Sequence, residues 1–380
     1  NKGVTVADAS SFSTGDTYTP TAGNVSFEEF YGSNFGDVIY GGIGGPAYYL
    51  GNGSDLFYGG SAGELVFYSA GADRLDGGGG SDALYTYLTT TAAFYLDGNA
   101  DINANGIADR IDRGVGSLGT YTGFALGSGT TLLINFENLI GEGSDDILVG
   151  DNNANLINGR GGSNTMFGMG GNDTIYSTYG ANTIDGGTGT DTLDYTNSWY
   201  GYAAVSAASV FLQNASFYGA SDKAFFWGGD FNFQARTGTS TYSTVVNIEN
   251  IAGSSLNDVL YGNSSVNVIS GNNGDDIIAG NGGADTLSGG AGNDTFLATT
   301  AQFTTVALID GGANTDIIKV SGLNLTAGSI VGSKYASIEV LDIRNGAGGG
   351  NYTMNANDIT GLADAGTASS VNLRLDTGDT

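Results

Sequence analysis

Asp37, Asp55 and Asp73 lie eighteen residues apart, as do Glu64 and Asp82, and the interval returns at Asp173 with Asp191 and at Asp258, Asp276 and Asp294. Carboxylates recurring at one interval need a shared counter-ion once the chain folds back on itself. Between Gly32 and Tyr85 the finer period is nine: Asp37, Pro46, Asp55, Glu64, Asp73 and Asp82 are each followed two residues later by Ile39, Tyr48, Phe57, Val66, Leu75 and Leu84. Glycines stand four residues ahead of the apolar position at Gly44, Gly53, Gly71 and Gly80, which gives the unit GGxGxDxUx, a calcium-binding repeat of parallel β-helices. If each unit makes one turn and one short strand, two complete a coil, and residues eighteen apart stack. Acids stacked at the roughly 4.8 Å spacing of strands repel one another without a cation between them.

Calcium suits the donors on offer. It takes roughly six to eight oxygens, and glycine turns can aim main-chain carbonyls at it. The nonapeptide candidates are Asp37, Asp55, Glu64, Asp73, Asp82, Asp173, Asp191, Asp258, Asp276, Asp285, Asp294 and Asp316. Pro46, Asn155, Asn164, Asn182 and Asn267 replace the acid, and there binding should weaken, with an asparagine ladder holding the turn instead. Asp and Asn favour turns in any protein, so one copy would be ambiguous. Seventeen in-register copies, with Met166 the only inward residue that is neither aliphatic nor aromatic, are not. A second calcium pattern reads Asp101, Asn103, Asn105, Ile107, Asp109 and Asp112, the ligand positions of an EF-hand loop, with Gly106 at its turn position. It ends in aspartate instead of glutamate and has no helical flanks, so it reads as a calcium loop set in β-structure.

Composition agrees. Lys plus Arg is 11 against 39 for Asp plus Glu, a net charge of -28, which argues against nucleic acid as a partner and for bound cations. There is no histidine and no cysteine, which excludes a Ser-His-Asp triad, a thiol nucleophile and histidine-held zinc within the chain. Most acids sit in repeat turns, so no catalytic residue is assigned and an enzyme is not expected. No apolar run is long enough for a membrane span.

Three arrays follow one another, each announced by a similar phrase: Phe27-Glu28-Glu29-Phe30, Phe136-Glu137-Asn138-Leu139 and Ile248-Glu249-Asn250-Ile251. A fourth phrase, Ile338-Glu339-Val340-Leu341, has no array after it. The expected domains are 1–135 with a hairpin and calcium-loop insertion, 136–247 with an aromatic-rich insertion, 248–336, and a C-terminal β segment 337–380 that continues beyond Thr380. The insertions alternate apolar and polar residues, as β-hairpins do. The fold class is all-β, a parallel β-roll with hairpin insertions.

The ninth position of the first array reads Tyr40, Tyr49, Tyr58, Phe67, Asp76 and Tyr85 and faces outward, which stacks aromatics on both faces. Either the first insertion, with Phe94, Tyr95 and Tyr121, covers one face, or the faces meet another subunit, a glycan or a surface.

The arrays with their lead-in phrases, and the sequence Asp191-Thr192-Leu193-Asp194-Tyr195 ahead of an insertion, resemble the RTX (repeats-in-toxin) family of secreted bacterial proteins. That resemblance implies a roll that folds on meeting external calcium, and type I export. The segment from Ser337 to Asp379 is similar to a part of large RTX adhesins. The resulting expectation is an extracellular calcium-binding structural protein that self-associates as a homopolymer in a surface layer, filament or adhesin. The alternative is the accessory calcium-folding region of a secreted enzyme or toxin whose catalytic domain lies elsewhere.

Overall fold

The computed structural model describes residues 17–18, 29–41, 47–68, 71–86, 93–96, 123–126, 130–177, 180–196, 208–212, 234–237, 241–321, 334–343 and 372–374. Glycine-rich turns alternate with strands of mostly three residues, and the chain divides into two compact units, Asn1–Asp191 and Thr192–Thr380.

In the first unit successive strands alternate between two parallel sheets. Val38–Tyr40, Leu56–Tyr58 and Arg74–Asp76 pair in parallel in one sheet, while Ala47–Tyr49, Leu65–Tyr68 and Ala83–Thr86 pair in the other. The register is eighteen residues, Val38 opposite Leu56 and Ala47 opposite Leu65, so two nonapeptides do make one coil. The second array repeats this with Ile147 opposite Thr165 and Leu156 opposite Thr174. A three-residue strand has one side chain pointing in, and position eight of each unit is that residue. Ile39, Phe57, Leu75, Leu148, Met166 and Ile184 line one sheet's inner face and Tyr48, Val66, Leu84, Ile157 and Ile175 the other's, and none is more than 2% exposed.

The first insertion does form antiparallel strands: Gly123–Leu126 pairs with both Thr130–Ile134 and Ala93–Tyr95. Its outer strands also join the coils in parallel, Leu132 opposite Arg74 and Ala93 opposite Ile147. Phe94 therefore falls opposite Leu148 at the inward position and is buried in the core, with Tyr95 buried beside it. The Phe94 ring does not lie over the aromatic face as a cover, because a strand in register with a coil must send its alternate side chain inward, whereas Tyr95 points the other way and packs with Ala93 and Val149. Tyr121 is outside the described residues.

The second unit has the same two-sheet plan. Thr192–Asp194, Asn250–Ala252, Val268–Asn273, Thr286–Ala291 and Leu308–Ala313 run in parallel in one sheet, and Val259–Tyr261, Ile277–Ala279, Thr295–Thr299 and Ile317–Ser321 in the other. Its insertion again supplies antiparallel strands, Ala208–Phe211, Gln234–Thr237 and Thr241–Val246, the first of them parallel to Val259–Tyr261. Among the described residues one helix, Thr300–Thr305, interrupts the coils. Thr299 and Gln302 exchange side-chain to backbone hydrogen bonds in a capping box, and Phe303 is buried with its ring 4.8 Å from Tyr335. The helix lengthens one coil, so Thr286 pairs with Leu308 and Thr295 with Ile317 at 22 residues, and the register survives.

Because each coil contributes one inward residue per sheet, removing one leaves a hole that the stiff strands cannot close. Ile175→Ala is expected to destabilise the calcium-loaded chain by about 2–5 kcal/mol in denaturant unfolding.

Candidate metal centre

Most acids at position six make the same first bond, Glu64 being an exception and the array head Asp37 accepting from the Ser33 N–H. One carboxyl oxygen accepts the main-chain N–H of position six in the preceding coil: Asp55 Oδ1 from Asp37 at 2.8 Å, Asp73 from Asp55 at 2.8 Å, Asp82 from Glu64 at 2.7 Å and Asp191 from Asp173 at 2.8 Å. Asp276 accepts from Asp258 at 2.7 Å, Asp294 from Asp276 at 2.8 Å and Asp316 from Asp294 at 2.8 Å. All six acid pairs expected at eighteen-residue spacing are thus adjacent. Each acid is buried, so its turn role is real, but the bond uses only one of its two oxygens.

The second oxygen points into the glycine turn. A Cβ on Gly271, Gly280 or Gly289 would lie 2.1 Å from Oδ2 of Asp276, Asp285 or Asp294, so the glycine five residues before the acid makes room for the carboxylate. Position four needs glycine for another reason: Gly53, Gly80, Gly274 and Gly292 have φ of 147, 129, 116 and 145°, a region closed to residues with a Cβ. The Oδ2 atoms of Asp55, Asp82, Asp173, Asp276, Asp294 and Asp316 have no hydrogen-bond partner, and neither carboxyl oxygen of Glu64 has one. Buried polar atoms are normally paired, so a row of unpaired carboxylate oxygens requires a ligand.

Asn164 shows what faces those oxygens. Its Oδ1 keeps the ladder bond, accepting from Asp146 N–H at 2.8 Å, while its amide Nδ2 donates to the carbonyls of Gly159 at 2.9 Å and Gly161 at 3.2 Å. Where aspartate replaces asparagine, the same turn presents carbonyl oxygens to a carboxylate oxygen that has no proton to give. A cation bound by both resolves the conflict, and a hard one that prefers oxygen fits. Asn155 and Asn267 resolve it differently, donating to the main-chain oxygens of Glu137 at 2.9 Å and Glu249 at 2.7 Å. Among the described residues no three acids converge on one point, because the acids run in single file, one per coil, and carbonyls must complete each site.

Burial dominates the electrostatics. It pushes the carboxyls of Asp55, Asp173, Asp276 and Asp316 up to about 7 and that of Glu64 to about 8, with acids in neighbouring coils adding to the rise. Asp258 and Asp285 rise to about 6, and Asp82, Asp191 and Asp294 also move upward through burial. Asp37 and Asp258, at the heads of their arrays, have serine caps: Ser33 and Ser254 N–H reach their Oδ2 atoms at 2.7 and 2.6 Å.

Asp146 also belongs here, with its Oδ2 2.7 Å from where a Cβ on Gly141 would stand, although no acid lies eighteen residues away to single it out. Its place at position six of the first copy was the available signal. The second calcium pattern, Asp101, Asn103, Asn105, Ile107, Asp109 and Asp112, lies outside the described residues, as does Pro46.

Parallel coils with acids in single file at their glycine turns define a metal-bridged solenoid. A model of the RTX calcium-binding nonapeptide repeat matches residues 69–87, 140–175, 167–195, 248–278 and 261–296. The matched segments are RTX calcium-binding nonapeptide repeats, and calcium is the ion such repeats bind. The copies between Gly32 and Tyr68 fall outside the matched residues yet carry the same ladder. No curated protein matches the chain. Repeats of this family typify bacterial proteins secreted by type I export. Among the described residues no helix is long and apolar enough to cross a membrane.

Calcium would be held by the Oδ2 atoms and turn carbonyls, and its charge would replace the protons that burial otherwise favours. Because the folded-state values are raised, the metal-free roll binds more protons than the expanded chain, and its stability is full below about pH 4 and lost as pH rises through 6 to 8. In chelator, acidification from pH 8 to 5 should restore β-structure by far-UV circular dichroism. In calcium the ion competes with those protons, so affinity measured by titration calorimetry should rise over the same interval.

Asp276→Asn keeps the acceptor for the Asp258 N–H and places an amide on the turn carbonyls, as at Asn164. Native mass spectrometry should find at least one calcium fewer, with the β-structure in calcium unchanged.

Proposed function

We propose that the chain is a calcium-stabilised extracellular structural protein that associates with copies of itself, in a cell-surface layer, filament or adhesin, and has no catalytic role of its own. The observation that carries this reading is an aromatic ladder on the first array. Tyr31 stacks on Tyr49 with ring centres 4.6 Å apart, Tyr49 on Phe67 at 4.1 Å, and Phe67 meets Tyr85 at 4.7 Å. The Arg160 guanidinium closes the row 4.8 Å above the Tyr85 ring. On the other sheet Tyr40 stacks on Tyr58 at 5.2 Å. These rings stand one coil apart because the nonapeptide puts position nine outward on every coil.

Tyr31 is 59% exposed, Phe35 48%, Tyr40 39% and Tyr58 37%. Exposed aromatic rows of this kind mark interaction sites, and stacked rings lose little further freedom when a partner covers them. In the third array the corresponding position is mostly small or polar, as at Ser270, Ala279 and Ser288, with Tyr261 and Leu297 the exceptions. A chain of net charge -28 cannot pack against itself while its acids are bare, which ties association to calcium.

Sedimentation velocity and electron microscopy test the reading. The chain in calcium should form ordered assemblies that chelator disperses, and a Tyr31→Ser/Tyr40→Ser/Tyr58→Ser variant should stay monomeric in calcium with its circular dichroism intact. A parent chain that remains monomeric in calcium overturns self-association, and its retention on immobilised polysaccharide would assign the rings to glycan binding.

A further inference from the structure

Two of the acid rows are continued by residues that are not in nonapeptides. Beyond Asp82 the chain leaves its coil after the strand Ala83–Thr86 and returns at Asn138–Ile140, which pairs directly with it, Asn138 opposite Ala83. The slot that an aspartate one coil on would occupy is taken by Glu137, whose Oε2 accepts the Asp82 N–H at 2.7 Å. The Asp82 carbonyl in turn accepts from the N–H groups of Glu137 at 3.2 Å and Asn138 at 3.0 Å.

The end of the third array repeats every one of these bonds with unrelated residues. Glu339 Oε2 accepts the Asp316 N–H at 2.8 Å, and the Asp316 carbonyl accepts from Glu339 at 3.2 Å and Val340 at 2.9 Å. Both glutamates stand at the second place of a lead-in phrase, Phe136-Glu137 and Ile338-Glu339. The phrase thus resupplies the carboxylate when the nine-residue count has been lost.

Asp82 and Asp316 have no exposed surface, and the Oδ2 of each is without a hydrogen-bond partner. Glu64, one coil before Asp82, is also buried with both oxygens unpartnered. None of these three takes part in an ion pair; the ion pairs seen among the described residues join Arg160 to Glu142 and Arg374 to Asp342. Buried carboxylates in single file that run on to a glutamate at each seam, with no lysine or arginine paired to them among the described residues, leave a cation as the counter-charge.

We propose that Glu137 and Glu339 are calcium ligands, each completing with Asp82 or Asp316 a metal station at the point where the chain re-enters the roll. The proposal rests on the calcium reading of the nonapeptide turns and extends it to side chains outside the repeat. It makes the lead-in phrase a metal-held seam: the ion joins the last coil of an array to a segment that arrives from elsewhere in sequence.

Glu137→Gln and Glu339→Gln keep the length and the oxygen that accepts the Asp82 or Asp316 N–H, and remove only the charge. Native mass spectrometry of the full chain in calcium should show at least one ion fewer for each, with circular dichroism in calcium unchanged and the folding midpoint moved to several-fold higher calcium. Asp276→Asn, inside a nonapeptide column, is the control. If it loses an ion while both glutamine variants keep the parent stoichiometry, the seam ligands are overturned and the repeat sites stand. If no variant loses an ion, both readings fail. The two junctions are independent, so misfolding at one leaves the other to decide.

Discussion

Everything in this protein depends on a carboxylate asked to do two things at once. One oxygen holds the N–H of the coil before it and so fixes the vertical spacing of the roll. The other is thereby pinned, buried, in a glycine turn with no hydrogen-bond partner. The first bond creates the fold's register, and the second atom makes that register unfavourable at neutral pH until a cation arrives. Stability and metal dependence are two ends of the same side chain, and no single substitution separates them except to asparagine, which swaps the unpartnered oxygen for a donor.

Much of this was visible in the sequence because the repeat is written in chemistry as well as in spacing. The inward position from Ile39 to Ile318 is apolar in every copy, and the eighteen-residue stacking of acids follows from two strands per coil. What the period could not show is where the chain departs from it. Glu137 and Glu339 occupy ladder slots at distances no count of nine predicts, and only the hydrogen bonds disclose them. Phe94 looked like a residue of a covering hairpin because its segment alternates as hairpins do. Its strand also pairs with a coil, which is a tertiary fact, and that pairing sends its ring into the core. The helix Thr300–Thr305 was missed because six residues give no amphipathic period, although Thr299 and Gln302 carry the spacing of a capping box.

The asparagines of the second array deserve comparison with the aspartates on physical grounds. Asn164 satisfies two carbonyls and one N–H with a neutral side chain, so its turn carries no charge to offset. Asp276 holds the corresponding N–H but leaves an anionic oxygen for a metal. Both keep the same coil geometry. The composition of position six therefore grades calcium dependence along the chain without altering its shape, much as a repeat protein can vary local stability while conserving each interface.

The ladder's step lengths carry one more consequence. From one rung to the next the chain advances 18 residues at most coils, 22 across the helix, 23 to Glu339 and 55 to Glu137, yet the bond formed is the same. The roll counts hydrogen bonds and not residues. Extra chain is therefore accommodated wherever it leaves and rejoins at a corner, whether it is a single turn of helix or a set of strands. A scaffold with that property can acquire new surface by insertion at a corner while each added segment leaves the metal row behind it uninterrupted.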